Sequence, residues 1–513
     1  MRGGIDDSAT VATAAAPQTA ASRLRAATRC GQRAEPASVL LAALIVAWCA
    51  VFGRLIWGRH AHFATFDFDL GHHDQALWLL AHGESFVTVS GMPALGHHMT
   101  LAYFGVVPFY WFGGGPQMLN LLQTAALGLS AVPIYLLARH RLRSSWQALA
   151  VGGAWLLNPS VQWLCWEAWH PETIAIPFLL TAYLLASHRS WLWYGIVLVF
   201  ALSWKEDVAL AVAMLGLALA VTGQPRIGLS TFALGAVWFL VAYGVAMPHF
   251  NGGTNHAGTF YGELGASPIE LVRTALTNPS LVIDRMRSNN SLAYARDLLA
   301  PFGFLPLTAP AILAIAIPQF LANSLATADF FYDIRYHYVA IILVALALAS
   351  VEGVARSRNR RLRCWAVAWL GVSALATSVA WGVSPIGTQY RSGVWPLTGN
   401  ARQRVLDAAV AAVPTGAAVA ATYNIVPHLS QRLRIYTFPN PWIRHNWGIQ
   451  GVAPKDLDRE HSADRVEWIV VDRSTHTPGS REEVLLDQVL TGGMFEKVSD
   501  QQGIVLARRV NRP

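Results

Sequence analysis

Apolar residues run along this chain in long blocks, and nearly every block ends at a short polar cluster. Residues 101–138 contain no Asp, Glu, Lys or Arg. A helix needs about 20 mostly apolar residues to cross a hydrocarbon core of roughly 30 Å, and the chain offers such stretches repeatedly. The pattern predicts spans over residues 39–57, 116–138, 146–164, 173–186, 191–203, 208–221, 227–247, 338–354 and 364–383. Residues 99–112 are apolar but short, and read as a re-entrant or interfacial helix. Residues 299–328 are apolar and broken by Pro301, Pro306, Pro310 and Pro318; they could hold one span or a tight hairpin, and the parity of crossings before the arginines at 356–363 favours the hairpin. The total comes to about ten crossings of a bilayer.

After residue 384 the pattern changes. Charges return, and the apolar runs shorten to strand length. Residues 417–421, 434–437, 468–471, 495–498 and 503–507 read as strands, and 401–413 and 481–490 as helices. The fold class is therefore an α-helical polytopic membrane protein with a small C-terminal α/β domain. Its parts are a disordered tail (1–36), a membrane domain (37–383) and the α/β domain (384–513). The stretch 396–513 is expected to fold alone.

Charge sets the orientation. Arg23, Arg25, Arg29 and Arg33 precede the first span, and Arg139, Arg141, Arg143 and the group from Arg356 to Arg363 follow later ones. Arginine-rich loops stay in the cytoplasm, so the N-terminal tail is expected there. Segments 58–98 and 249–299, the second with two amphipathic helices, are then outside, as is the C-terminal domain. The setting is a plasma (inner) membrane.

Composition agrees: 54% of residues are hydrophobic and 13% charged, against about 25% charged in a soluble protein. The net charge of +8 comes almost wholly from Arg, with lysine only at Lys205, Lys455 and Lys497. These charges sit in short clusters between spans, which points away from nucleic acid. The cysteines, Cys30, Cys49, Cys165 and Cys364, form no CxxC pair, so neither a disulfide framework nor a zinc–thiolate site is expected.

The candidate chemistry gathers on the outer side. The first loop carries Asp67, Asp69, His72, His73, Asp74, His97 and His98; later junctions carry Glu167, His170 and Glu172, then Lys205, Glu206 and Asp207, then Asp333, Arg335 and His337. Charges near hydrocarbon are costly, so their convergence at one level hints at function. Plainer roles compete: Glu206 as a helix cap, the histidines as interfacial residues, and Trp163, Trp166 and Trp169 as an interfacial belt. Asp67 and Asp69 have no adjacent basic partner. An extended backbone from 66 to 70 would point both carboxylates the same way and turn Asp74 elsewhere.

The run Phe66-Asp67-Phe68-Asp69-Leu70-Gly71-His72-His73-Asp74-Gln75-Ala76-Leu77-Trp78 resembles the signature of the DUF2079 family of predicted multi-pass membrane proteins. Further matches are Gly96-His97-His98, Asn158-Pro159-Ser160, His170-Pro171-Glu172, Lys205-Glu206-Asp207 and Tyr336-His337-Tyr338, and the stretch from Pro427 to Pro439 resembles the family's outer domain. The family in turn resembles GT-C-type glycosyltransferases, a fold-level analogy. That resemblance implies transfer of a sugar from a polyprenyl-phosphate donor on the outer side of the bilayer, with a first-loop acid as base. Asp69 or Asp67 would take that part, Asp69 being favoured by the histidines that follow it. Lys205 and Arg335 would hold the donor phosphate. His97, His98, His170, His337, Glu172, Glu206 and Gln75 would complete the substrate site. A divalent cation, Mg²⁺ or Mn²⁺, would sit among Asp69, Glu172 and His98. The competing readings are a transporter or flippase for a lipid-linked or hydrophobic solute, and a sensory or structural membrane protein. Transporters usually show internal repeats and charges at the bilayer midplane, and neither is visible in this sequence.

Overall fold

The computed structural model describes residues 35–251, 256–443 and 463–510, without the side chains of 256–259. All but the end of the expected N-terminal tail lies outside the described residues. The chain is mostly helical. Five described helices, Pro36–Ala61, Pro116–Leu142, Pro225–Phe250, His337–Arg356 and Arg360–Trp381, are long and apolar enough to cross a membrane. The 26 residues of the first extend about 39 Å at 1.5 Å per residue. Pro171–Ser187, Trp191–Leu202, Val208–Val221 and Pro310–Leu325 are apolar but shorter. The figure of about ten crossings counted each short run as a span of its own. The predicted span over 146–164 is a bent pair, Ser145–Leu157 and Pro159–Glu167. It bends because Pro159 cannot continue the helix, and Asn158 caps the second piece by accepting from the Ser160 amide at 2.9 Å. The bend carries Glu167 to the candidate site.

Polar contacts mark two levels of the helical layer. At one, Arg139 pairs with Glu35 (2.8 Å), Arg141 with Glu352 (2.8 Å), and Arg356 donates to the Thr308 carbonyl (2.5 Å). At the other, Trp163 donates to the Trp381 carbonyl (2.8 Å) and Trp166 to that of Val394 (3.1 Å). The proline-broken segment runs between them and back. Asn289 donates to the carbonyls of Ser324 (2.9 Å) and Ala326 (2.8 Å), so the ends meet at the second level, while Thr308 lies beside Arg356 at the first. This is a hairpin whose descending arm begins at Ser291–Leu299. Helices Pro268–Thr277 and Pro279–Ser288 precede it, the amphipathic pair of the 249–299 segment. Close packing relies on small residues, as in membrane helix pairs. A Cβ on Gly216, Gly228 or Gly235 would collide with the facing backbone of the pair Val208–Val221 and Pro225–Val241.

The first loop contains a two-stranded hairpin, β1 (Phe86–Val87) and β2 (Met92–Pro93). The C-terminal unit is a five-stranded sheet of β3 (Val419–Ala421), β4 (Ile435–Thr437), β5 (Trp468–Asp472), β6 (Phe495–Gln501) and β7 (Ile504–Arg509) in the order β4-β3-β5-β7-β6. β3 pairs parallel with β4 and β5, while β7 runs antiparallel to β5 and β6. Alternate residues serve opposite faces. Ala420, Ile469, Val471 and Val505 pack on Leu486 and Val489 of helix Arg481–Thr491. Val419, Ala421, Ile435 and Val470 join the same core as the membrane helices. Parallel strands need cover on both faces, and one cover here comes partly from the first loop. Thr88 Oγ1 donates to the Ile435 carbonyl (2.6 Å) and accepts from the Ile435 amide (2.9 Å). The sheet thus shares a core with the rest of the chain; circular dichroism of the fragment 396–513 is the test of the expectation that it folds alone.

Candidate functional site

The acidic run of the first loop winds into a wide turn, Asp67–Gly71, after an extended Phe66; the Gly71 amide donates to the Phe66 carbonyl at 3.2 Å. The expectation of an extended segment fails here. In a helical winding of about 3.6 residues per turn, residues two apart face roughly opposite ways, and the two carboxylates diverge. Asp67 is buried and accepts from Thr437 Oγ1 of β4 at 2.5 Å. Asp69 turns the other way, with Oδ1 3.3 Å from His170 Nε2. Asp74 lies apart from both, as expected, accepting from Tyr110 (2.8 Å) and Ser430 (2.6 Å). Burial raises the pKa of Asp67 to about 7, with the Thr437 hydrogen bond opposing it, and that of Asp74 to about 6.

Asp67 thereby makes the seam between first loop and sheet sensitive to pH. A carboxyl whose folded pKa lies above its unfolded value keeps its proton longer in the native state, so native stability falls as pH rises between the two values. Asp67 should therefore add to thermal unfolding of the full chain a stability component that declines from about pH 4 to about pH 7, beside a component of the same sign from Asp74 up to about pH 6. Asp67→Asn should remove the Asp67 component and leave that of Asp74. An unchanged slope in the variant would assign it to other groups.

The other junctions close around Asp69. The His170 ring stacks on that of His337, centroids 3.7 Å apart. His337 Nδ1 lies 2.8 Å from Glu167 Oε1, and its Nε2 is 3.7 Å from Glu172 Oε1. Lys205 Nζ donates to Glu172 at 2.7 Å and lies 3.5 Å from Asp207. Glu206 accepts from the Met99 amide (3.1 Å) and lies 2.8 Å from His98 Nδ1. Burial works against a charge on His170, but Glu167, Asp69 and Glu172 together outweigh it and raise its pKa to about 9. Burial likewise disfavours charge on Lys205, and Asp207, Glu172 and Glu206 reverse the effect and raise its pKa. Glu206 goes the other way, to about 2, because His98 and Lys205 overcome its burial.

The structure thus brings together Asp69, His170, Glu172 and His337, with Lys205 tied to Glu172. His98 is held by Glu206 rather than beside Asp69 and Glu172. His97 packs against His72 (4.4 Å between rings) and Phe68. Two assignments change character. Gln75 Nε2 donates to Thr88 Oγ1 (2.9 Å) and the Arg432 carbonyl (3.2 Å), so it joins the loop to the C-terminal unit. Arg335 is half-exposed and paired with Asp333 at 2.5 Å. Two groups missing from the expected site belong to it. Glu167 contributes a buried carboxylate whose Oε2 has no hydrogen-bond partner. Arg59, 1% exposed, lies over the Trp166 ring at 3.9 Å, with Nε and Nη1 unpartnered and Asp69 and Glu167 within electrostatic reach. In the expected topology Arg59 ends the first span on the outer side, against the positive-inside pattern, and that is the signal the sequence held for it.

No curated protein matches the chain. Among solved structures it is similar to ArnT from Cupriavidus metallidurans, crystallised bound to undecaprenyl phosphate, at 13% identity and a TM-score of 0.54, with 92% of this chain and 97% of that chain covered. At that identity the likeness establishes a shared GT-C-type fold. The sequence matches the predicted membrane protein family DUF2079 over residues 59–506, from the end of the first long helix to the last strand, and the chain belongs to that family.

Proposed function

We propose that this protein is a membrane glycosyltransferase that moves a sugar from a polyprenyl-phosphate donor to an acceptor on the outer face of a plasma (inner) membrane. The N-terminus lies in the cytoplasm, and the His- and acid-rich level and the C-terminal sheet lie outside. The reading is carried by one observation: residues from four separate junctions, Asp69, Glu167 with His170 and Glu172, Lys205, and His337, converge at one level beside the C-terminal sheet. The fold likeness to ArnT bound to undecaprenyl phosphate supports the donor class.

Asp69 serves as base. Its side chain is 21% exposed, against 6% for Glu167 and 3% for Glu172, so of these three acids it is the one an acceptor reaches. It takes the acceptor hydroxyl proton as that oxygen attacks the anomeric carbon; the bond to the donor phosphate breaks, and the phosphate leaves with the electron pair. Positive charge near that leaving group lowers the barrier. Arg59, with unpartnered N–H groups, supplies it, and Arg335 lies further out. Lys205 acts through Glu172 as a positioning residue. Purified protein given a labelled polyprenyl-phosphate sugar and candidate acceptors tests the reading by the appearance of labelled product.

A further inference from the structure

Two imidazoles and three carboxylates lie together at the heart of the cluster. Donor atoms of Glu167, His170 and His337 all fall within 4.8 Å of one another. Asp69 Oδ1 approaches the same His170 nitrogen at 3.3 Å, and Glu172 approaches His337 at 3.7 Å. We propose that Glu167, His170 and His337 form a binding site for one divalent first-row transition ion of the zinc or manganese class, with Asp69 facing the ion from the first loop.

Three observations carry this beyond proximity. The first is unsatisfied valence. Glu167 is 5% and Glu172 2% exposed, and Oε2 of each has no hydrogen-bond partner. A buried carboxylate oxygen without a donor is costly, and a cation relieves it. The second is orientation. His170 Nδ1 lies 3.3 Å from the Ala168 carbonyl, and Nε2 faces Asp69. A metal-ligating histidine commonly donates its other ring N–H to a backbone carbonyl, which fixes the lone pair on the nitrogen that binds. Ala168 is placed for this by a positive φ of 82°, a strained backbone for a residue with a Cβ. The third is charge. Lys205 is already paired with Glu172 (2.7 Å) and Asp207 (3.5 Å), so Asp69 and Glu167 face the two imidazoles without it, and a divalent ion adds positive charge between them.

The donor types select the ion. Imidazole nitrogens suit zinc and its neighbours, whereas magnesium prefers an all-oxygen shell. The set differs from Asp69, Glu172 and His98, because His98 is engaged by Glu206 and Glu172 by Lys205. Since lone pairs lie in the ring planes, the two stacked imidazoles must splay apart to converge on one ion.

The inference stands on geometry and does not require the transferase reading, so binding is measured without activity. Full-length protein in lipid nanodiscs is stripped with chelator, titrated with Zn²⁺, Mn²⁺ or Mg²⁺, desalted and analysed by elemental mass spectrometry. One equivalent of Zn²⁺ or Mn²⁺ should be retained, and Mg²⁺ should not compete at equal concentration. Outer-shell partners are worth roughly 10–100-fold in affinity, so Glu167→Gln and His337→Asn should each exceed that loss, while the exposed control His82→Asn should bind as wild type. Pulsed EPR of the Mn²⁺-loaded wild type should show coupling to imidazole nitrogen, a readout that no variant's misfolding can blur. No retained ion, equal retention of Mg²⁺, full affinity in both variants, or a manganese signal without nitrogen coupling each overturns the proposal.

Discussion

Asp69→Asn should lower the rate of sugar transfer by about 100- to 10,000-fold, the usual range for loss of a general base, with the protein still folded and inserted. Asn keeps the shape and removes the proton-accepting charge. Asp69 meets His170 at the edge of the cluster, whereas Asp67 is turned away onto Thr437. Asp67→Asn is therefore expected to keep most of the activity and to act through the seam with β4. The pair gives a sharp comparison between positions two residues apart. Equal loss in both variants, or full activity in Asp69→Asn, would remove Asp69 from the base role. Steady-state rates at saturating donor, with thermal unfolding as the folding check, decide between these outcomes.

Lys205→Met should destabilise the protein by about 3–5 kcal/mol, the range for breaking a buried pair by removing one partner. Lys205 and Glu172 are 7% and 3% exposed, 2.7 Å apart. Without the ammonium, Glu172 is left buried with its charge unmatched. The double variant Lys205→Met with Glu172→Gln should recover much of the loss, since removing both charges avoids the uncompensated one. A single variant as stable as wild type would mean that another cation serves Glu172 and that Lys205 is free for the donor phosphate after all.

Local rules reached some of this molecule and not the rest. The five strands of the C-terminal sheet lie within a few residues of the apolar runs that announced them; β3, β4, β5 and β7 are largely buried on both faces, while β6 buries Phe495 and exposes most of the rest. The bend at Asn158-Pro159 has a local cause in the proline, although the apolar run over 146–164 read as one span, and the hairpin came from counting crossings between arginine clusters. The first loop shows the limit. Its residue types marked it as chemically active, but the direction of Asp67 is set by Thr437, 370 positions away. The role of Gln75 is set by Arg432, 357 positions away. No periodicity in residues 66–75 encodes either partner. Glu167 was visible as an outer-junction acid, yet its place at the centre depends on the bend that turns it toward His337. The sequence also suggested an independent C-terminal domain, because its boundary in composition is clear. The boundary in packing is not, since one face of the sheet is buried in the core of the helices.

The account turns on transfer of a sugar from a lipid phosphate by this chain alone. The direct measurement uses purified protein in liposomes, supplied with a radiolabelled polyprenyl-phosphate sugar and a panel of lipid and glycan acceptors, with labelled product and released polyprenyl phosphate counted separately. The account predicts equal amounts of the two, formed by wild type and reduced about 100-fold or more in Asp69→Asn. Movement of intact donor across the bilayer with no labelled product would contradict it and make the protein a carrier of lipid-linked sugars.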